Sequence, residues 1–156
     1  MINTNRTQQL ARMANEGAVA SEQGDYGKAI ATLEAVLVEA PDWDKGRLHR
    51  LLGNAYQESG EFEKAKVKYL EALSYDSDDT DARDDYAHLL WKHGDVKQAF
   101  GQYLILARTY RRRQAPQDWI DSLLVPLRDL SVRLGITEDE LTYYLDPLSE
   151  NRVERE

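Results

Sequence analysis

The sequence predicts an all-α chain built as a short series of helical hairpins, and three observations point that way. Apolar residues recur three and four positions apart, the spacing that lines up one face of a helix. Leu52, Ala55 and Tyr56 form one such set, and Phe62, Ala65, Tyr69, Ala72 and Leu73 form another. Glycines stand where those stretches must turn, at Gly24, Gly60 and Gly94, with gaps of 36 and 34 residues between them. Each glycine is followed at fixed offsets by an aromatic or apolar residue and then an alanine: Tyr26 and Ala29, Phe62 and Ala65, Val96 and Ala99. A chain leaving a helix often needs a left-handed conformation that glycine adopts cheaply, so the glycines mark turns. Small residues such as Gly53, Ala65 and Ala72 fall where two backbones must approach closely.

A recurrence of about 34 residues with Gly, aromatic and Ala in register resembles the tetratricopeptide repeat. The resemblance runs from Leu10 to Arg112, in units of about 10–43, 46–79 and 80–113. It implies a right-handed superhelix of about three stacked helix-turn-helix repeats with C-terminal capping helices, all within one domain over 1–156. Two departures stand out in the first unit. Met13 and Glu16 occupy positions where the family often has Trp and Leu, and the first junction carries extra residues around Trp43-Asp44.

The first helix is expected over about 6–22, capped by Thr4 or Asn5, with small alanines (Ala11, Ala14, Ala18, Ala20) that pack closely but bury little. Asp25 can cap the second, about 26–39, which Pro41 closes. Trp43 is expected to cover a helix end. The second unit spans about 45–75 and the third about 79–112, its last helix ending in Arg108, Arg111, Arg112 and Arg113. Cations suit a helix C-terminus, where the dipole favours them; a patch for an anionic partner is the other reading. Trp119, Ile120, Leu123, Leu127, Leu130 and Leu134 then mark a helix over about 117–134 stopped by Gly135, with Pro126 expected to kink or break it. Thr137 with Glu140 reads as a capping box opening a last helix, about 138–146, ended before Pro147. Glu140 replaces the alanine usual in the repeat, so this pair of helices is at best a degenerate fourth unit. The tail from Asn151 to Glu156 is expected to fray.

Composition narrows the function classes. Twenty-eight acidic against 20 basic residues give a net charge of −8, which opposes nonspecific nucleic-acid binding. Without cysteine the chain has no disulfide, thiolate metal site or thiol nucleophile, and a reducing, cytoplasmic location is the default expectation. No apolar run is long enough to span a bilayer, so no membrane partner is expected.

Catalytic and metal signals are absent. His49 stands alone, and His88 and His93 are five apart where helical ligand pairs favour three or four. Asp84 and His88 could form a carboxylate–imidazole pair, ordinarily a surface hydrogen bond. The run Asp76, Asp78, Asp79, Asp81, Asp84, Asp85 lacks the turn glycine and final glutamate of a calcium loop, and acids gather naturally at a helix start. No nucleophile elbow or phosphate-binding loop occurs. No enzyme activity, cofactor or metal is therefore expected.

In the resembled family the first helix of each unit lines a concave groove. Carried onto this chain, the inward positions include Asn15, with Ala14, Ala18, Ser21 and Glu22, from the first unit. The second supplies Arg47, Arg50, Asn54 and Gln57, with Leu51 and Glu58, and the third Asp81, Asp84, Asp85, His88 and Trp91, with Lys92. Members that grip the acidic tails of heat-shock chaperones use Lys, Asn and Arg at positions that here are Ala14, Ala18, Leu51, Asp81 and Asp85, so binding of such tails is expected to be absent. The expected partner is instead a protein or peptide segment with a basic stretch and an apolar anchor near Trp91. The leading function is a non-catalytic adaptor or scaffold. The alternatives are a small acidic chaperone, similar to the repeat-containing secretion chaperones, and a scaffold that self-assembles through the C-terminal helix at 119–134, where Val125 and Val132 form a second apolar stripe.

Overall fold

The computed structural model describes residues 4–146, which form eight α-helices and no strand among the described residues. In order these are α1 (Thr4–Glu22), α2 (Tyr26–Glu39), α3 (Lys45–Glu58), α4 (Phe62–Tyr75), α5 (Thr80–Lys92), α6 (Val96–Arg112), α7 (Gln117–Leu134) and α8 (Glu138–Leu145). The chain is thus an all-α helical-repeat fold. No described helix is long and apolar enough to cross a membrane. Pro147 and the tail from Asn151 to Glu156, read from the sequence as a helix stop and a frayed end, lie outside the described residues. The fold divides into two compact units between Ala82 and Arg83.

The hairpin turns follow from the glycines. Gly24, Gly60 and Gly94 all take the left-handed conformation, with φ of 80°, 83° and 80°. An L side chain there would press its Cβ toward the carbonyl oxygen, so each turn depends on glycine. After the first turn Asp25 caps α2, its Oδ1 accepting from the Lys28 backbone N–H at 3.1 Å. α1 already runs from Thr4, so Thr4 and Asn5 lie inside it and do not cap it. Nothing from Thr4 to Gln9 is Gly or Pro, and the helix has no local reason to start later.

In the first unit α1 pairs with α2 and α3 with α4, while α3 lies against both helices of the first hairpin. Ala20, Ala29 and Ala55 meet with Ile30 where α1, α2 and α3 converge, and their size lets the three backbones draw close. The closest approach at a glycine is within the second hairpin. A Cβ placed on Gly53 would stand 2.6 Å from Cε1 of Tyr69, whose ring is fully buried. Glycine is what admits that ring. At the first junction Trp43 is half-buried and its backbone N–H donates to the Ala40 carbonyl at 3.0 Å. Asp44 beside it takes a left-handed φ of 40° to turn the extra residues into α3.

In the second unit α5 and α6 form the third hairpin. Arg83 Nη1 donates to Gln102 Oε1 at 2.7 Å, and the Trp91 ring meets the buried Tyr103 edge-on. α7 packs on α6, and α8 returns to both. α7 passes through Pro126 without breaking, because Leu123, Leu127 and Leu130 on either side are buried with Pro126 itself and keep both halves packed. Thr137 and Glu140 form the complete capping box of α8. Glu140 therefore stands at its place for a capping reason: its Oε2 accepts from the Thr137 N–H at 2.7 Å. The arginines closing α6 are used within this unit too. Arg108 Nε donates to the Tyr144 carbonyl at 2.7 Å and Arg111 to the Leu145 carbonyl, so two cations hold the C-terminal, negative end of α8.

Candidate functional site

The polar row expected on α3 forms within the first compact unit, which ends at Ala82. Arg47, Arg50, Asn54 and Gln57 are spaced three, four and three apart and share one side of the helix. Each is held by a named neighbour. Asn15 of α1 is exposed, and its Oδ1 accepts from Arg47 Nη2 at 2.7 Å. Arg50 is half-buried, with Nη1 3.4 Å from Asp81 Oδ2 in the first turn of α5. Asn54 and Gln57, both half-buried, share one donor: the Tyr69 hydroxyl gives to Asn54 Oδ1 at 2.6 Å and lies 3.2 Å from Gln57 Oε1. Asn15 also stands on the wall of an open cleft of about 540 Å³ along α1, lined among others by Ala11, Arg12, Val19 and Lys28.

In the second unit Asp84 is exposed and Asp85 and His88 are half-buried on α5. Trp91 is half-buried, its ring 6.1 Å from that of His88 and 6.2 Å from that of Tyr103. Its indole Nε1–H donates to Asp129 Oδ2 of α7 at 2.7 Å, and Arg133 Nη1 sits 3.5 Å from the same oxygen. Trp91 is thus fixed on two sides. Burial pushes the Tyr103 hydroxyl well above the usual phenol range, and the Asp84 charge adds to it. Tyr103 stays neutral.

Several sequence expectations change in detail. Ala14, placed on the inward face by resemblance, is fully buried, whereas Ala18 and Leu51 are half-buried. The aspartates before α5 serve the backbone: Asp76 Oδ1 accepts from the Asp78 N–H at 2.9 Å and Asp79 Oδ1 from the Ala82 N–H at 3.0 Å. Among the described residues no group of three or more potential metal ligands gathers.

Two supporting residues escaped the sequence reading. Tyr69 reads as core by spacing and gives no sign that its hydroxyl organises Asn54 and Gln57. His49, isolated in sequence, is buried in the second hairpin, stacked on Tyr75 with centroids 5.5 Å apart. Its Nδ1 lies 2.9 Å from Glu71 Oε2.

Residues 46–79 match the family model described as tetratricopeptide repeat. Among curated proteins none matches the sequence. Among solved structures the chain is similar to the TPR domain of Sgt2 from Aspergillus fumigatus, with a TM-score of 0.67 at 20% identity over 81% of this chain and 80% of that one. It is also similar to the type III secretion translocator chaperone SycD from Yersinia enterocolitica, with a TM-score of 0.71 at 17% identity over 87% of this chain and 90% of that one. At these identities the likeness is one of fold.

Proposed function

From a chain that carries a tetratricopeptide repeat at residues 46–79 and has the tetratricopeptide fold, we propose a non-catalytic adaptor that binds a segment of another protein. One observation carries this reading: the α3 row of Arg47, Arg50, Asn54 and Gln57 is held in place by Asn15, Asp81 and Tyr69. Side chains already ordered lose less freedom when a ligand arrives, so a fixed polar row suits recognition more than a solvated face does. In the second unit Asp84 and Asp85 suit a basic stretch, and the half-buried Trp91 ring suits an apolar side chain next to it.

The polar character of the α3 row favours the adaptor over a chaperone that shields an apolar client, because such a client needs exposed aliphatic side chains on the receiving face. The experiment is native co-purification with the intact chain, identification by mass spectrometry, and comparison with N54A/Q57A. The expected result is a captured partner whose affinity drops about tenfold in the variant, corresponding to roughly 1.4 kcal/mol, with the helical content kept. A partner bound equally well by the variant would overturn the assignment of the α3 row.

A second reading, self-assembly through α7, has its own support. Val125 and Val132 are 68% and 78% exposed, so the second apolar stripe of α7 stands uncovered among the described residues.

A further inference from the structure

We propose that the outer face of α7 pairs with the same face of a second copy, antiparallel, with Arg128 of each copy against Asp129 of the other. This rests on the self-assembly reading and gives it a register. α7 buries Ile120, Leu123, Leu127 and Leu130. On the opposite side Ser122, Val125, Arg128, Asp129 and Val132 are all exposed, within one stripe of the helix. A single exposed valine needs no explanation. Two valines in line with a cation and an anion between them make a different pattern, because the pattern is complementary to its own reverse. The antiparallel register that sets Val125 opposite the other copy's Val132 also sets Arg128 opposite the other copy's Asp129, and both contacts occur twice about the two-fold axis. At the edges the same register brings Ser122 opposite Gly135, two small residues that let the helices approach. A parallel pairing in register would set arginine on arginine and aspartate on aspartate, which like-charge repulsion disfavours.

The charged groups around this centre fit the arrangement. Arg128 Nε lies 3.3 Å from Glu138 Oε1, between side chains 60% and 66% exposed, so that pair is loosely held by water-screened attraction. Asp129 receives Trp91 and Arg133 through Oδ2, which orders its carboxylate within the stripe. One helix face is small beside the roughly 800 Å² per partner of a stable interface, so the pairing belongs to the weak, concentration-dependent class.

The absence of cysteine from the chain makes the register directly testable in the full-length protein. V125C/V132C should form a covalent dimer on mild oxidation. V125C and V132C alone should not, because seven residues along a helix separate like positions by roughly 10 Å, beyond the reach of a disulfide. In sedimentation velocity the wild-type coefficient should rise with concentration, and V125E/V132E should remove the rise. A wild-type chain that stays monomeric at all concentrations would overturn both the pairing and the self-assembly reading. Concentration-dependent association that survives in V125E/V132E, or single-cysteine variants that cross-link as readily as the double one, would overturn this face and register while self-assembly stood.

Discussion

His49 has the most informative surroundings of any single residue. It is buried in the second hairpin beside Glu71, whose Oε2 also receives Lys68 at 2.8 Å, while Lys45 lies over the Tyr75 ring at 5.3 Å. Burial is the main cause that holds its pKa below the ordinary 6.5; Glu71 pulls it up, and Lys68 and Lys45 push it down. The unfolded chain keeps the ordinary value, so on acidification it takes up the proton first. His49 therefore contributes stability that is full above pH 6.5 and is lost as pH falls toward the folded value. Urea midpoints between about pH 7.5 and about pH 5 should fall more steeply for wild type than for H49F; equal slopes would mean that His49 does not sense the proton. Tyr69 offers a second test. Y69F should lower stability by about 1 kcal/mol, the net worth of a typical hydrogen bond, and weaken partner capture as well. Neither role could be read from the sequence. Helical periodicity tells which side of a helix a residue takes, and it says nothing of a hydroxyl at the far end of a core ring. Trp91 illustrates the same limit, since its hydrogen bond to Asp129 joins residues 38 apart in the chain.

Whole elements were far more legible, and the reason is local. The turn glycines, the Asp25 cap and the Thr137–Glu140 box each act within a few residues, and the helices they delimit fall where spacing put them. Pro126 shows where locality is not enough: of the kink or break expected there, the break is absent, and the leucines flanking it are buried. The α3–α4 hairpin depends on Gly53, so G53A should cost about 1–3 kcal/mol through the displaced Tyr69 ring, read as a lower thermal midpoint. α8 is too short to hold itself, as isolated helices below about 12 residues are marginal in water. Its C-terminal carbonyls rest on Arg108 and Arg111, so R108A/R111A should speed amide exchange across Leu141–Leu145 while leaving α3 protected. Unchanged exchange in α8 would show that Leu141 and Leu145 anchor it unaided. The basic run that the sequence left between a solvated end and an anionic-partner patch thus has an internal use at Arg108 and Arg111.

At the scale of the molecule, charge sets the expectations. A chain with a net charge of −8 should meet a basic segment faster at low salt than at high salt. Replacing Asp84 and Asp85 with lysine should slow association with the captured partner and flatten its salt dependence, as measured by stopped-flow at two ionic strengths. Peptides ending in the acidic tail of heat-shock chaperones should show no micromolar binding, since Asp81 and Asp85 stand where the gripping family members carry cations. The repeat architecture was visible in three glycines and the residues after them, whereas the supports of the candidate faces were not, because they join helices through single atoms. The Tyr69 hydroxyl is the clearest of these. One oxygen at the end of a core ring aligns Asn54 and Gln57, so in the proposed adaptor the closure of the hairpin and the order of its polar row would depend on the same hydroxyl. Selection for a new visitor at those two amides would repeatedly return variants that also melt differently, and a screen scoring both traits would see them travel together.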